Sequence, residues 1–264
     1  MRTQTKNLSF QEYIDIDAIN HSGLKAFSKC PAKYKAYRDG LESESSQALG
    51  FGRAYHTLIL EPDLFDKQYY ICPHGATRAT IENKEIATTG KELLAFSEGI
   101  TLFSMQHAIK SHKGAMDLLD NMIATEVTET WVDKETGLQC KARVDGILSD
   151  GRKVDLKTTI DASPRAFANA CARYNYYSQS AWYSEDMRSI VFIAQEKSAP
   201  YLVALYELDF VAMTEGKAFC ANTLEGMRSC LNTGVFPGYI ESVQTLSLPE
   251  WAVSVDDDLF GQEL

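Results

Sequence analysis

The stretch that decides the fold is Lys141–Thr159, which reads KARVDGILSDGRKVDLKTT. Its first half, through Leu148, alternates in side-chain character and is rich in Val and Ile, a pattern typical of a β-strand. Ser149–Gly151 then has the composition of a tight turn. Arg152–Thr158 predicts a second short strand, so we expect a β-hairpin at this point of the chain.

The charged side chains of this hairpin predict a costly arrangement. Because successive side chains of a strand point to opposite faces, Asp155 and Lys157 share one face and Leu156 points to the other. Asp145 lies beside Asp155 if the hairpin register allows. Two carboxylates at short distance repel each other, and a divalent cation between them removes that cost. An exposed hairpin face with simple surface ion pairs remains the alternative, because short D-x-K matches are common by chance.

The composition permits a substantial hydrophobic core and limits the partners. The chain has 264 residues, of which 45% are hydrophobic, enough for one large domain or for a domain with an appendage. The formal net charge of −10 argues against non-specific binding of a polyanion. A local basic surface on an acidic chain still allows such binding, because carboxylates gathered at a metal site also count as negative charge.

Cysteine spacing and hydropathy predict the compartment. No C-x-x-C pair occurs among the six cysteines, which are Cys30, Cys72, Cys140, Cys171, Cys220 and Cys230. No stretch has the length of a transmembrane helix, and the N-terminal residues lack the apolar core of a signal peptide. We therefore expect a cytoplasmic protein without membrane association, with reduced and mostly buried cysteines and without zinc.

Two helices are expected in the N-terminal part of the chain. The first spans about Ser22–Tyr37, with Ser22 as its N-cap and a break at Pro31. The second, Ala48–Glu61, carries His56 among apolar residues. A single histidine on such a helix is usually a core residue hydrogen-bonded to backbone, and metal ligation is the alternative.

A basic window accompanies the first of these helices. It has no acidic residue and consists of Lys25, Lys29, Lys33, Lys35 and Arg38. Such a window is either an ordinary solvated helical face or an edge that contacts phosphate groups.

The other segments are predicted from periodicity and from Gly and Pro positions. Before the hairpin we expect an extended segment at Asp63–Tyr70, a mobile loop or lid at Cys72–Thr89, helices at Gly90–Glu98 and Thr101–Leu119, and a strand at Ala124–Val132. After it we expect helices at Pro164–Arg173 (capped by Ser163) and Tyr176–Met187, strands at Ser189–Ala194 and Tyr201–Glu207, and a helix at Phe210–Asn232. The strand Tyr201–Glu207 is apolar enough to lie at or next to the centre of a sheet.

Four polar residues outside the hairpin bear on a possible site. Glu126 and Glu129 fall on opposite faces of their strand, so at most one of them approaches the aspartates, and we leave Glu129 out of the candidate ligands. Gln179 and Tyr183 are spaced i, i+4 and therefore share one face of their helix.

Taken in order, these motifs resemble the α-β-β-β-α-β core of the PD-(D/E)XK nuclease superfamily. The resemblance is to the RecB-type exonucleases, and within them to the nuclease domains of the RecE-type exodeoxyribonuclease VIII group. It rests on FGRAYHTLILEP (Phe51–Pro62), RVDGI (Arg143–Ile147), VDLKTT (Val154–Thr159), YNYYSQSAWY (Tyr174–Tyr183) and the earlier Ser22, Leu24, Cys30-Pro31 and Tyr34. The implied fold is an α/β (α+β) restriction-endonuclease-like core, a mixed sheet flanked by helices.

The resemblance also implies roles and boundaries. The implied metal ligands are His56, Asp145, Asp155 and the backbone carbonyl of Leu156. Lys157 would orient the attacking water and stabilise charge on the phosphate, and Gln179 and Tyr183 would support the site and the nearby DNA strand. Mg²⁺ is the expected ion, Mn²⁺ should be accepted, and no iron–sulfur cluster is expected because Cys30 lacks three clustered partners. We expect a single nuclease domain at 1–254, with a helical part at about 17–120 and a catalytic sheet at about 121–240, followed by a loose acidic tail at 255–264.

The implied activity is that of a metal-dependent DNA exonuclease. It would degrade the 5′-ended strand of linear duplex DNA and leave 3′ overhangs for a single-strand annealing protein in recombination. A homo-oligomeric ring around the DNA is also implied, and only its channel wall would need to be basic. Two alternatives stay open: a nuclease of the same fold with single-strand substrate or other polarity, and a non-catalytic DNA-binding or inhibitory module.

Overall fold

The computed structural model describes residues 2–6, 8–41 and 47–249. The acidic tail expected at 255–264 lies outside the described residues, and the domain boundaries stay a prediction. The helices are α1 (Phe10–Asp15), α2 (His21–Lys29), α3 (Pro31–Arg38), α4 (Gln47–Leu60), α5 (Pro62–Gln68), α6 (Ile81–Ala87), α7 (Phe96–Ser111), α8 (Lys113–Asp120), α9 (Pro164–Arg173), α10 (Tyr176–Tyr183) and α11 (Phe210–Thr233). The strands are β1 (Thr3–Thr5), β2 (Tyr69–Ile71), β3 (Glu92–Leu94), β4 (Met122–Val132), β5 (Gln139–Leu148), β6 (Lys153–Thr159), β7 (Val191–Glu196) and β8 (Val203–Tyr206).

A mixed sheet forms the centre of the protein. In the described part of the chain it has six strands in the order β1-β4-β5-β6-β7-β8. The strands β4, β5 and β6 are antiparallel in succession, β6 and β7 are parallel, and β8 returns antiparallel. The helices α9 and α10 make the crossover that a parallel pair requires. This topology confirms the predicted mixed sheet flanked by helices.

The hairpin that the sequence predicts is present as β5 and β6. Its turn contains Gly151 at φ +83, a left-handed conformation that glycine adopts without steric cost. The ladder between the two strands consists of the pairs Gly146↔Val154 and Ile147↔Lys153. The opposite edge of β6 pairs with β7 from Val154 to Thr159. The two strands of the hairpin are therefore paired near the turn and not along their whole length.

Hydrophobic clusters cover both faces of the sheet. Along β7, Phe192 and Ala194 belong to one cluster, and Val191 and Ile193 belong to the other. Because strand side chains alternate, the two clusters lie on opposite faces. Side chains from α2, α3, α9, α10 and α11 complete the first cluster, and side chains from α4, α5, α7 and α8 complete the second. The sheet is therefore sandwiched between two helical layers, which fix the positions of α4 and α10 relative to the hairpin.

Several predicted elements in the N-terminal half are wrong. The segment Asp63–Tyr70 is mostly helical, because Pro62 stands at the first position of α5, where its missing N–H is not needed. The expected loop at Cys72–Thr89 contains α6, and the expected helix at Gly90–Glu98 is replaced by β3 and the start of α7. The predicted N-cap Ser22 is also wrong. The N-cap of α2 is Asn20, whose side chain accepts from the Gly23 N–H.

Two predictions in the C-terminal half are also corrected. The strand β8 is at the edge of the sheet and not at or next to its centre. The helix α10 ends at Tyr183 and does not reach Met187. Its successor in the chain is a polar turn in which Asp186 accepts from the backbone N–H and side chain of Arg188, and such local bonds compete with helix.

The structure also bears on the burial of the cysteines and on membrane-spanning helices. Five of the six cysteines are buried and Cys230 is partly exposed, which confirms that most are buried. Within the described residues, none of the helices combines the length and apolar character that crossing a bilayer demands.

Candidate active site

The site begins where the two strands of the hairpin separate. After the last ladder pair, the carboxylate of Asp145 takes the place of a strand partner: its Oδ2 accepts the backbone N–H of Leu156 at 2.8 Å. Asp155 follows Val154, so the two aspartates lie one position beyond the pair Gly146↔Val154. Both are buried. The hairpin thus brings together the two carboxylates that the sequence predicts.

Helix α4 brings an imidazole to the same point. His56 Nδ1 lies 3.4 Å from Asp145 Oδ2, and the exposed fraction of its side chain is 27%. A hydrogen bond with the backbone of Leu156 also acts on this ring. His56 is therefore a site residue and not merely a core histidine bonded to its own helix.

A third acidic residue, Glu126 of β4, completes this group. Ligand atoms of His56, Glu126 and Asp145 all lie within 4.8 Å of one another. Glu126 has φ +50, an uncommon conformation for a residue other than glycine and one that recurs at functional sites. Its Oε2 accepts from Arg143 Nε at 2.5 Å. We call His56, Glu126 and Asp145 the acidic–histidine cluster.

Strand periodicity does not identify Glu126 as a member of this cluster. It allows at most one of Glu126 and Glu129 near the site; Glu129 is left out of the candidate ligands, and Glu126 is not named as one. The available signal was the β4–β5 register: Val132 pairs with Gln139 across the turn, and counting back from that pair puts Glu126 opposite Asp145.

Asp155 lies beside this cluster and has different partners. Its Oδ1 accepts from Gln179 Nε2 at 2.9 Å, and its Oδ2 is 2.5 Å from Lys157 Nζ. Among the described residues, this buried oxygen has an ion pair with Lys157 in place of a hydrogen bond. The Lys157 ammonium also lies 4.8 Å from the ring centroid of Tyr176.

Burial and mutual repulsion raise the pKa values of the two acids in the cluster. Burial, then the charge of Asp155, raises the pKa of Asp145 from 3.8 to about 8. Burial, then the charge of Asp145, raises the pKa of Glu126 from 4.5 to about 6, against the opposing effect of Arg143. The cluster therefore holds more negative charge than the surrounding protein neutralises, which is the condition that a bound cation relieves.

The pKa values of the two basic groups, His56 and Lys157, shift in opposite directions. Burial lowers the pKa of His56, although the charge of Asp155 opposes this, so the imidazole is neutral near pH 7. Burial alone would lower the pKa of Lys157, but the charges of Asp155 and Asp145 outweigh it and raise the pKa above 10.5. A neutral imidazole is the form that binds metal, and Lys157 is an ammonium at neutral pH.

Helix α10 presents Gln179 and Tyr183 to this site. Besides its bond to Asp155, Gln179 hydrogen-bonds Tyr183, whose pKa burial raises well above its ordinary value. Tyr183 is therefore a neutral phenol that supports Gln179. Neither residue belongs to the acidic–histidine cluster.

The C-terminal end of α10 is held by three cations, which we call the α10 cation cluster: Arg2, Lys153 and Lys217. Arg2 donates to the carbonyls of Trp182 and Tyr183 at 2.7 and 2.9 Å. Lys153 donates to the Tyr183 carbonyl at 2.6 Å, and Lys217 donates to the last carbonyls of the same helix. Cations at a helix C-terminus complement its dipole and its unpaired carbonyls.

Glu129 belongs to this second group and not to the candidate metal site. The carboxylate is fully buried and accepts from Arg2 at 2.8 Å and from Lys153 at 2.6 Å. Burial raises its pKa, but the two cations outweigh that effect and hold the pKa below 4.5. Leaving Glu129 out of the ligand list agrees with this geometry.

The acidic–histidine cluster has the chemistry of a divalent-cation site. It offers two carboxylates and a neutral imidazole, and the carboxylate of Asp155, ion-paired with Lys157, lies next to it. Carboxylate oxygens suit Mg²⁺, and an added imidazole favours transition ions such as Mn²⁺. These residues therefore fit a divalent metal.

Comparison with known proteins agrees with this geometry. A family model described as a PDDEXK-like domain of unknown function (DUF3799) matches residues 20–249. The chain belongs to this family. The match includes α4, the hairpin and α10, so all the site residues above belong to the DUF3799 domain.

A solved structure shares the fold of this DUF3799 chain. The crystal structure of a "putative exonuclease" from Eubacterium rectale aligns over 98% of this chain and 100% of its own, with a TM-score of 0.62 and 18% sequence identity. No curated protein matches the sequence. Membership of the PD-(D/E)XK superfamily is thereby confirmed, and the closer resemblance to the RecE-type group stays a prediction.

Proposed function

We propose that this DUF3799 protein is a divalent-metal-dependent DNA exonuclease. The observation that carries the proposal is the convergence of the acidic–histidine cluster with Lys157 at the point where β5 and β6 separate. Phosphodiester hydrolysis needs an activated water and positive charge around the phosphate. Carboxylates, a neutral imidazole and an ammonium in one place are suited to supply both.

The metal would be held by His56, Glu126 and Asp145, with Asp155 and the carbonyl of Leu156 as further ligands. Mg²⁺ is the proposed ion, and Mn²⁺ should replace it. When bound, such an ion lowers the pKa of a water molecule and offsets negative charge on the phosphate.

Lys157 is assigned to charge stabilisation. Because its pKa is raised, it keeps its proton at neutral pH and serves as a hydrogen-bond donor to a phosphate oxygen, not as a base. Asp155 and Tyr176 hold the ammonium in place, and Gln179 in turn holds Asp155. Tyr183 then supports Gln179 from the interior. Lys157 is thus presented to the substrate by a chain of contacts that ends in α10.

The proposed strand polarity, partner and assembly are inferred from the motif resemblance. We propose degradation of the 5′-ended strand of linear duplex DNA, 3′ overhangs used by a single-strand annealing protein, and a homo-oligomeric ring. The net charge of −10 makes the ring useful, because assembly can concentrate the few basic surfaces around DNA. The same-fold alternative, with single-strand substrate or other polarity, keeps the same site residues.

The test is digestion of linear duplex DNA that carries a label at one end or the other, with and without Mg²⁺. We expect metal-dependent release of nucleotides from the 5′-ended strand. In Lys157→Ala, cleavage should fall by about 100- to 1,000-fold or more, as expected when one charge-stabilising donor is removed, while DNA is still bound. Lys134→Ala, in the exposed turn between β4 and β5, is the matched control and should cleave normally. Full activity of Lys157→Ala would remove Lys157 from the mechanism, and metal-independent or absent cleavage would reject the proposal.

A further inference from the structure

A cavity opens beside the candidate active site. Its volume is about 340 Å³, and the residues that matter among its lining are His21, Lys25, Lys157, Tyr174, Tyr176 and Gln179. Lys157 and Gln179 both contact Asp155, so the cavity is continuous with the site. We call it the tyrosine groove. Its size is near the lower end of the range of about 300–1,000 Å³ for small-molecule sites, the scale of a single nucleotide.

The groove carries an exposed aromatic ring that packing does not explain. Tyr174 is 48% exposed, and its ring centroid is 5.8 Å from that of Tyr176, with 33° between the planes. Tyr176 is half-buried and has Lys157 over its ring, so Tyr174 is the more exposed of the two rings. The Arg173 guanidinium lies 5.6 Å from the Tyr174 centroid and places positive charge next to that ring.

The backbone between the two tyrosines is held in an unusual conformation. Asn175 has φ +60 and ψ +37 and stands between the end of α9 and the start of α10. Asparagine is one of the few residues that adopt this left-handed conformation at low cost. The turn ends one helix and begins the next within two residues, Tyr174 and Asn175, and it puts Tyr174 and Tyr176 on the lining of the same cavity.

Lysines and no carboxylates line the groove in the described part of the chain, although the chain as a whole is acidic and Asp155 lies next to the groove. Lys25 and Lys157 both line it. Burial, then the charges of these two lysines, lowers the pKa of His21 to about 3, and its Nε2 is paired with Ser178 Oγ at 2.8 Å. His21 is therefore a neutral wall residue, and the positive charge at the groove comes from the lysines and from Arg173. A positive groove with an exposed aromatic ring is the combination used to bind single-stranded nucleic acid.

We propose that the tyrosine groove binds one unpaired nucleotide next to the scissile phosphate, with its base stacked on Tyr174. The proposal rests on the proposed nuclease function and adds to it a specific demand on the substrate. A groove of about 340 Å³ has the scale of one nucleotide, and on this proposal the terminal pair of a duplex opens before cleavage. Stacking accepts every base, because each has a π-face, so the groove should show little sequence preference.

Binding can be measured without cleavage. The probe is 2-aminopurine deoxyribonucleoside 5′-monophosphate, whose fluorescence falls when its base stacks, titrated with protein in the absence of divalent metal. We expect saturable quenching by the wild-type protein. In Tyr174→Ala the affinity should fall by about 5- to 150-fold, the loss of one base–aromatic stack, whereas Tyr174→Trp should retain it. Tyr239→Ala, which removes another exposed tyrosine, is the matched control and should bind as wild type does.

Cleavage assays separate this proposal from the nuclease proposal. With blunt duplex ends, Tyr174→Ala should raise KM by more than it lowers kcat, and one unpaired terminal nucleotide on the substrate should reduce the defect. If wild type cleaves DNA and Tyr174→Ala matches it in probe affinity and KM, the groove proposal is overturned and the nuclease stands. If wild type does not cleave but quenches the probe through Tyr174, the nuclease proposal fails and the groove stands. Far-UV circular dichroism checks that each variant is folded.

Discussion

Replacing Asp145 with asparagine should stabilise the metal-free protein while it disables the site. In the folded, metal-free state, burial and the charge of Asp155 raise the pKa of Asp145 to about 8. The unfolded chain ionises this group near its ordinary value of 3.8. Between these values the folded state binds more protons than the unfolded state, so the free energy of unfolding falls as pH rises. An amide removes this pH-dependent cost, and its oxygen can still accept the Leu156 N–H.

The size of the effect follows from the same pKa values. Each pH unit between the two pKa values costs up to about 1.4 kcal/mol of unfolding free energy. From about pH 5.5 to about pH 8, the advantage of Asp145→Asn over wild type should therefore grow by up to about 3 kcal/mol. For a chain of this size that corresponds to a rise in Tm of about 6–12 °C relative to wild type.

The assay is thermal unfolding of both proteins in EDTA at the two pH values, followed by the same scans with Mn²⁺. Added metal should raise the Tm of wild type according to its affinity and concentration, and should raise that of Asp145→Asn far less. Asp120→Asn makes the same change of charge on the exposed end of α8 and should not show the pH-dependent gap. The electrostatic account of the site would be refuted if Asp145→Asn were no more stable than wild type at pH 8. It would also be refuted if the Tm difference between the two proteins were equal at both pH values.

Other substitutions test the metal ligands, the α10 cation cluster and the core. Glu126→Gln should weaken Mn²⁺ binding, measured by calorimetry, by at least about 10- to 100-fold, the loss typical of changing even an outer partner of a metal site. Arg2→Met removes hydrogen bonds to α10 and to the buried Glu129. Chemical denaturation should show a loss of about 1–3 kcal/mol in the free energy of unfolding, and an unchanged free energy of unfolding would contradict this explanation. Tyr55→Phe leaves the buried Gln195 side-chain oxygen without its hydroxyl partner, and urea unfolding should report a cost of about 1–3 kcal/mol.

Local signals explain what could be predicted about the site. The hairpin was visible because the turn residues and the alternation of Asp155, Leu156 and Lys157 are all contained in one short stretch. The helical positions of Gln179 and Tyr183 were visible for the same reason, since i, i+4 spacing defines a face. Residues whose neighbours are fixed within a few positions can be placed from sequence.

Long-range pairing explains which features of the site could not be predicted from the sequence. Arg2 and Glu129 are 127 positions apart, and nothing local marks either as a partner of the other. Glu126 joins the site through the β4–β5 register and through its positive φ, and strand periodicity reports neither. Proline was misleading at Pro62, where it begins a helix instead of preceding an extended segment. Such features depend on tertiary context, which outweighs local propensity.

The connection between strand β1 and helix α10 gives this protein a remote reporter. Arg2 precedes β1 directly, and its guanidinium reaches both Glu129 and the final carbonyls of the helix that carries Gln179. A change in the order of α10 when a ligand binds should therefore be transmitted through Arg2 to β1, at the edge of the sheet. Amide exchange in Thr3–Thr5, far along the chain from the residues of the candidate site, should therefore change when a ligand binds there, and hydrogen-exchange measurements at this edge would report on binding in the interior.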